Sequence, residues 1–233
     1  MIESMWASMI MSDELPPIAD AGHAGNKEAS AWPAPGDDLR ASGGVDMEHA
    51  FLGWWPDDQG RIIGFRRAAE ILAETILMGA DHRDMDTVVF PYLNCWRHYV
   101  ELQLKYLIFR CQTLLGNPVQ RRGGHKIDQL WSELAPLLAA ARLSQEADER
   151  RVVARLIAQL SALDPDNQEF RYARRRDGTP TLADIPHLDI ANVHQAMLGL
   201  ANYLEATDTA ISYKEELKQQ ALEYDWDVRQ GCD

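Results

Sequence analysis

The chain is short of several things that would have simplified its reading. It has three cysteines in 233 residues, Cys95, Cys111 and Cys232, and no two form a CxxC pair. That usage fits a reducing compartment, with Cys95 and Cys111 acting as small hydrophobes. No apolar run approaches the roughly 20 residues needed to span a bilayer, so no membrane partner is expected. MIESMWASMIMSDELPP places no Lys or Arg ahead of its short apolar run and fails as a secretory signal; a cytoplasmic location is expected. Positive charge is scarce: 23 Lys and Arg stand against 36 Asp and Glu, a net −13, which argues against non-specific binding of nucleic acid by the surface as a whole. The phosphate-loop, GxGxxG, GxSxG and HExxH patterns are all missing, which argues against enzymes built on those templates. There is no alternation of strand and helix patterns of the kind a parallel sheet needs.

What is present is helical. Hydrophobic content of 46% and charged content of 25% are those of a globular protein. The stretch 90–115 puts Trp96, Val100, Leu104, Leu107, Cys111 and Leu114 on one face of a helix. Pro91 suits its first turn, and Gly116-Asn117-Pro118 stops it. Arg97, Glu101 and Lys105 follow one another at steps of four on a polar strip, with His98 one position round. Before this central helix, a first helix is predicted over 61–78, with Ile62, Phe65, Ala69, Leu72 and Ile76 inward. The intervening Asp81–Asp86 lacks the spacing and glycine of a hard-metal loop and reads as solvated; no metal and no cofactor are expected.

After it come a short basic loop, Gln120-Arg121-Arg122-Gly123-Gly124, and a third helix from about His125, with Pro136 set to kink or split it. The short connection predicts that the second and third helices pack antiparallel, with His125 beside Arg110. Ser144 is the expected N-cap of a fourth helix, and Asp164-Pro165-Asp166 ends it. Asp177-Gly178 between Phe170-Arg171-Tyr172 and Thr179-Thr181-Leu182 signals a small β-hairpin within 168–184, which also carries Arg171, Arg174, Arg175 and Arg176. A fifth helix capped by Asp189 and a last one over about 211–224 complete the pattern. The expected fold is all-α: an up-and-down bundle of five or six helices over 59–228 with a hairpin insertion. Residues 1–58, rich in Pro and Gly, read as a poorly ordered tail, and Met5, Met9, Met11 and Met47 allow a later start. Trp54-Trp55 is the first segment expected to dock on the core.

Three motifs, RHxxExxLK at 97–105, GHxxxxLW at 124–131 and DPxxxxFRY at 164–172, resemble the HEPN superfamily of bacterial helical-bundle proteins. The resemblance covers roughly 90–204. It implies a bundle of four or five helices, often a homodimer with a cleft between protomers. Many members are metal-independent endoribonucleases of toxin–antitoxin, abortive-infection or CRISPR systems, so RNA or a nucleotide, a second copy, or a cognate antitoxin are the partners implied. The family's ribonuclease signature is an Arg, four to six residues, then a His. The sequence departs from it: only three residues separate Arg121 from His125, Arg122 is nearer still, and no Arg stands at the required distance before His98.

The candidate catalytic residues are therefore Arg97, His98, Glu101 and His125. RNA cleavage through the 2′-OH needs a proton shuttle, which histidine supplies, and a cation for the phosphorane charge, which arginine supplies. Lys105, Arg121, Arg122, Arg171 and Tyr172 are the candidate substrate contacts, through phosphate pairing and base stacking. Each has a plainer alternative. Arg97, Glu101 and Lys105 could be an ion-pair ladder worth a few tenths of a kcal/mol per pair. His125 could simply bond its own loop, and the hairpin arginines could offset an acidic surface. Two function classes stay open: an RNA- or nucleotide-associated protein of a bacterial stress or defence module, a ribonuclease among them, and a non-catalytic module whose helical face binds a partner protein.

Overall fold

The computed structural model describes residues 50–52, 54–55, 58–79, 81–119, 123–143 and 146–230. Most of the expected N-terminal tail, together with Arg121, Arg122 and Ser144, lies outside the described residues. Five helices account for most of what is described: α1 Gln59–Leu77, α2 His82–Leu115, α3 Ile127–Ala140, α4 Ala147–Leu163 and α5 Ile190–Gln230. The all-α class is what the apolar spacing predicts. Among the described residues no helix is long and apolar enough to cross a membrane.

Helix α2 is the axis, and its apolar stripe is buried as the spacing predicts: Trp96, Val100, Leu104, Leu107 and Cys111 have no exposed surface. It begins earlier than expected. Asp81–Asp86, read as a solvated loop, is instead its cap and first turn: the Asp81 carboxylate accepts the backbone N–H of Asp84 at 2.8 Å, and Asp84 lies at the positive end of the helix dipole. Pro91 consequently sits inside the helix and not in its first turn. Gly116, at φ 69°, ends the helix, and the N–H of Asn117 reaches back to the carbonyl of Gln112 at 2.9 Å. This left-handed closure is open to glycine at no steric cost. Pro136 does not split α3, which runs unbroken past it.

The fifth and sixth predicted helices are one. Between Leu204 and Ile211 two threonines and Asp208 weaken the pattern, and Thr207 and Thr209 return their hydroxyls to the carbonyls of Tyr203 and Glu205. Backbone and side chain are thus both satisfied within the helix. Asp189 caps it as expected, accepting the N–H of Asn192 at 3.0 Å. At the other end of the bundle Trp55 lies over Gly60, where an added Cβ would come within 2.7 Å of its ring.

The helix directions differ from an up-and-down bundle. Gln59 bonds Tyr106 at 2.9 Å and Phe65 packs edge-on to His98, so α1 runs antiparallel to α2. Helix α3 does not: His125 meets Glu101 at 2.9 Å and Glu133 meets Gln112 at 3.5 Å, so residue numbers rise together along the two helices. The expected antiparallel pairing is therefore corrected to a parallel one. The connection from Gly116 to Lys126 is long enough, at about 3.3–3.6 Å per extended residue, to carry the chain back along α2 before α3 starts. Helix α5 is parallel to α2 as well, tied by Tyr99 to Ala201, by Arg110 to Asp208, Ser212 and Glu215, and by Lys218 to the Leu114 carbonyl.

Residues 168–184 form turns and a single antiparallel bridge, Arg174 with Pro180. No strand is present among the described residues, so the expected hairpin is reduced to its turn. Gly178 sits at φ 86°, as the Asp-Gly signal requires, and Arg175 N–H bonds the Thr179 carbonyl at 2.9 Å. Pro180 has no N–H to continue the ladder.

Candidate functional site

Arg97, Glu101, Lys105 and His125 are brought together by the parallel packing of α2 and α3. The three motif segments meet there. Arg97 is completely enclosed; its Nη1 donates to Glu101 Oε2 at 3.3 Å, its Nε to the Asp164 carbonyl at 3.4 Å, and its Nη2 to the carbonyl of His125. Glu101 is 1% exposed and uses both oxygens. Its Oε1 takes the Lys105 ammonium at 2.8 Å and His125 Nδ1 at 2.9 Å. Arg97 thus holds the backbone of His125 while Glu101 holds its ring.

The imidazole itself is not buried: 62% of the His125 side chain is exposed. It lines a groove of about 490 Å³ whose walls include Gly124, Lys126, Gln129, Glu133, Pro165 and Asp166. A carboxylate can only accept, so Nδ1 carries the proton in the neutral ring and Nε2 presents its lone pair. A histidine tethered this way by a buried carboxylate, with its other nitrogen outward, is equipped to take and return a proton.

The electrostatics agree with the geometry. Burial works against the charge on Glu101, yet the hydrogen bonds from Lys105 and His125 hold its carboxyl below the ordinary value. Burial also lowers the pKa of Arg97, opposed by the nearby charges of Glu101 and Asp164. Because the folded pKa of Glu101 is depressed, its contribution to stability is present above the ordinary carboxylate pKa and is lost as pH falls through the folded value. Urea unfolding between pH 7 and pH 3 should therefore show a fall in stability on the acid side that Glu101→Gln flattens. An identical profile in the variant would mean that Glu101 titrates no differently on folding.

The other sequence-selected residues lie elsewhere. His98 packs its ring edge-on against Phe65, 4.3 Å between centroids, and burial lowers its pKa. It is absent from the lining of the His125 groove. Arg171 and Tyr172 belong to a different groove, of about 810 Å³, beyond the 164–172 loop. Arg171 donates to the Asn167 carbonyl and stacks over Tyr172, 5.4 Å from its centroid. Arg175 is paired with the buried Glu169 at 2.5 Å, which is the plainer structural role. Arg97, enclosed and fully engaged, cannot meet a phosphate as the sequence suggested; it positions His125. Arg110 is likewise remote from His125 and serves to tie α5 to α2.

Sequence reasoning missed Lys126 and Asp164. Lys126 stands next to His125 on the groove wall. The Asp164 carboxylate, also with no exposed surface, accepts the N–H groups of Gln168 and Glu169 at 2.7 and 3.1 Å and so shapes the loop against which Arg97 rests. The Asp-Pro dipeptide was read only as a helix stop, and nothing in it discloses which carbonyl a distant arginine will use. Among the described residues no group of three or more His, Cys, Asp and Glu is arranged to hold a metal. No family model, curated protein or solved structure matches the chain.

Proposed function

We propose that this is an HEPN-like RNA- or nucleotide-associated protein of a bacterial stress or defence module, acting as a metal-independent endoribonuclease at the His125 groove. The observation that supports it is the exposed imidazole of His125 clamped to the buried Glu101. In this reading Nε2 takes the proton of a ribose 2′-OH as that oxygen attacks the adjacent phosphorus. The P–O5′ bond breaks, the 5′-oxygen takes a proton from water, and a 2′,3′-cyclic phosphate remains. Lys126, at the groove wall, offsets charge on the phosphorus oxygens. Arg97 and Glu101 position the base and Lys105 holds Glu101. The homodimer and the cognate antitoxin implied by the resemblance belong to this proposal too.

A panel of labelled single-stranded and structured RNAs tests it, with 2′,3′-cyclic phosphate ends as the readout. His125→Ala should slow cleavage by about 10²–10⁴-fold, the usual contribution of a positioned acid–base group, while lowering melting only slightly, because the ring is exposed and Lys105 still bonds Glu101 Oε1. Cleavage that is equally fast in the variant, or absent from the native chain on every RNA, would defeat the proposal. The non-catalytic interaction module would then stand. It has its own supporting feature: the end of α5 beyond the bond from Lys218 to the Leu114 carbonyl leaves Leu222, Tyr224 and Trp226 59, 74 and 65% exposed.

A further inference from the structure

The larger groove, between the first half of α2 and the 169–190 segment, carries chemistry that the His125 site does not use. Its volume of about 810 Å³ falls within the range of small-molecule sites, roughly 300–1,000 Å³. Its walls are apolar: Val89 and Leu93 from α2 face Phe170, Leu182, Ile185 and Ile190. Phe170 is only 3% exposed, so its burial is already complete without a ligand.

The charged groups are arranged asymmetrically. Glu169 is neutralised, its two oxygens bound by Arg175 and by the Leu182 N–H at 3.0 Å. Arg171 spends Nε and Nη2 on the Asn167 carbonyl and places its Cζ over Tyr172, 5.4 Å from the ring centroid. Its Nη1 has no hydrogen-bond partner among the described residues. Asp86 on the α2 wall has no ion-pair partner among the described residues, and His187 lies on the opposite segment. An anionic group is therefore favoured at Arg171 and disfavoured beside Asp86. A guanidinium held by a carbonyl on one edge and by an aromatic ring beside it presents its other edge to a carboxylate, sulfonate or phosphate.

We propose that this groove binds a small anionic amphiphile, with its flat apolar body between α2 and the 182–190 wall and its anionic group on Arg171. The site is separate from the His125 groove, and its occupancy does not depend on any catalytic activity. Both the apolar walls and the Arg171 cation are needed: the first supplies most of the binding, and the second sets the direction in which the ligand enters.

Anilinonaphthalene sulfonate, an aromatic ring system with a single sulfonate, is the probe. Titrated into the intact native chain at neutral pH, it should give saturable one-site fluorescence and raise the melting temperature as its concentration rises. Arg171→Ala should weaken it roughly tenfold, the equivalent of one charge-assisted hydrogen bond. Phe90→Glu, a change at the half-exposed rim, should weaken it at least as much, and His125→Ala should leave it unchanged. A circular-dichroism melt on each variant separates lost binding from lost folding. Fluorescence that never saturates, that accompanies a lowered melting temperature, or that is indifferent to both Arg171→Ala and Phe90→Glu overturns the proposal.

Discussion

Glu101→Ala should cost the folded chain about 3–5 kcal/mol, because it leaves a buried guanidinium without the carboxylate that is bonded to it. Arg97 has no exposed surface, and its remaining hydrogen-bond partners are two backbone carbonyls, those of Asp164 and His125. Neither carbonyl carries a full negative charge, and the Asp164 carboxylate acts on the guanidinium only through space. Lys105 and the His125 ring lose their common acceptor in the same step. At roughly 2–4 °C per kcal/mol for a chain of this size, the melting temperature should drop by about 6–20 °C. The double variant Arg97→Met, Glu101→Leu separates the cost of an orphaned charge from the worth of the pair. Buried pairs replaced by apolar residues of similar size are often neutral, so the double variant should recover most of the loss. A single variant melting within a degree of the native chain would show that Arg97 reaches water, and the enclosed network would be refuted.

Trp96→Ala should be about as damaging, at roughly 3–5 kcal/mol for an aromatic removed from a packed core. Trp96 is fully buried and meets Tyr99 edge-on at 5.8 Å and 77°. Its ring also lies 6.0 Å from that of His194, on α5, so it fills the seam between α2 and α5. Truncation leaves a void that two parallel helices, pinned further along by Arg110, cannot close by sliding. Denaturant unfolding should show a lower midpoint at unchanged slope. Phe109→Ala is the control: 43% exposed, it should change stability by roughly 0.5 kcal/mol or less. Equal effects at the two positions would contradict the assignment of Trp96 to the core.

The core of this fold was legible because steps of three and four announce a face. Trp96, Val100, Leu104 and Leu107 had to be buried together or not at all, and Ile127, Leu130, Trp131, Leu134 and Leu138 likewise. Spacing reports a face, however, and not a direction. The same stripe on α3 packs equally well pointing either way, so the turn-like reading of 116–126 placed His125 by Arg110 when it belongs beside Glu101. The early start of α2 was hidden by Pro91 and by a charged first turn, whose Asp81–Asp84 cap reads locally like any acidic loop. Burial of Arg97 was foreshadowed only by its place next to Trp96. Its use of the Asp164 carbonyl, 67 residues away, has no local signature at all.

The parallel course of α2, α3 and α5 also bears on the order in which the chain can assemble. The helical hairpin of α1 and α2 closes through a short turn and can form from local contacts. The clamp on His125 cannot: it joins residues 24 apart to Glu101 and waits on a carbonyl 67 residues from Arg97. Contacts of such sequence separation pay their loop-closure entropy before they return any stability. The imidazole tether is thus a late-forming feature of the chain, and in native-state hydrogen exchange the amides around Lys126 and Asp164 should open at lower free energy than those in the middle of α2.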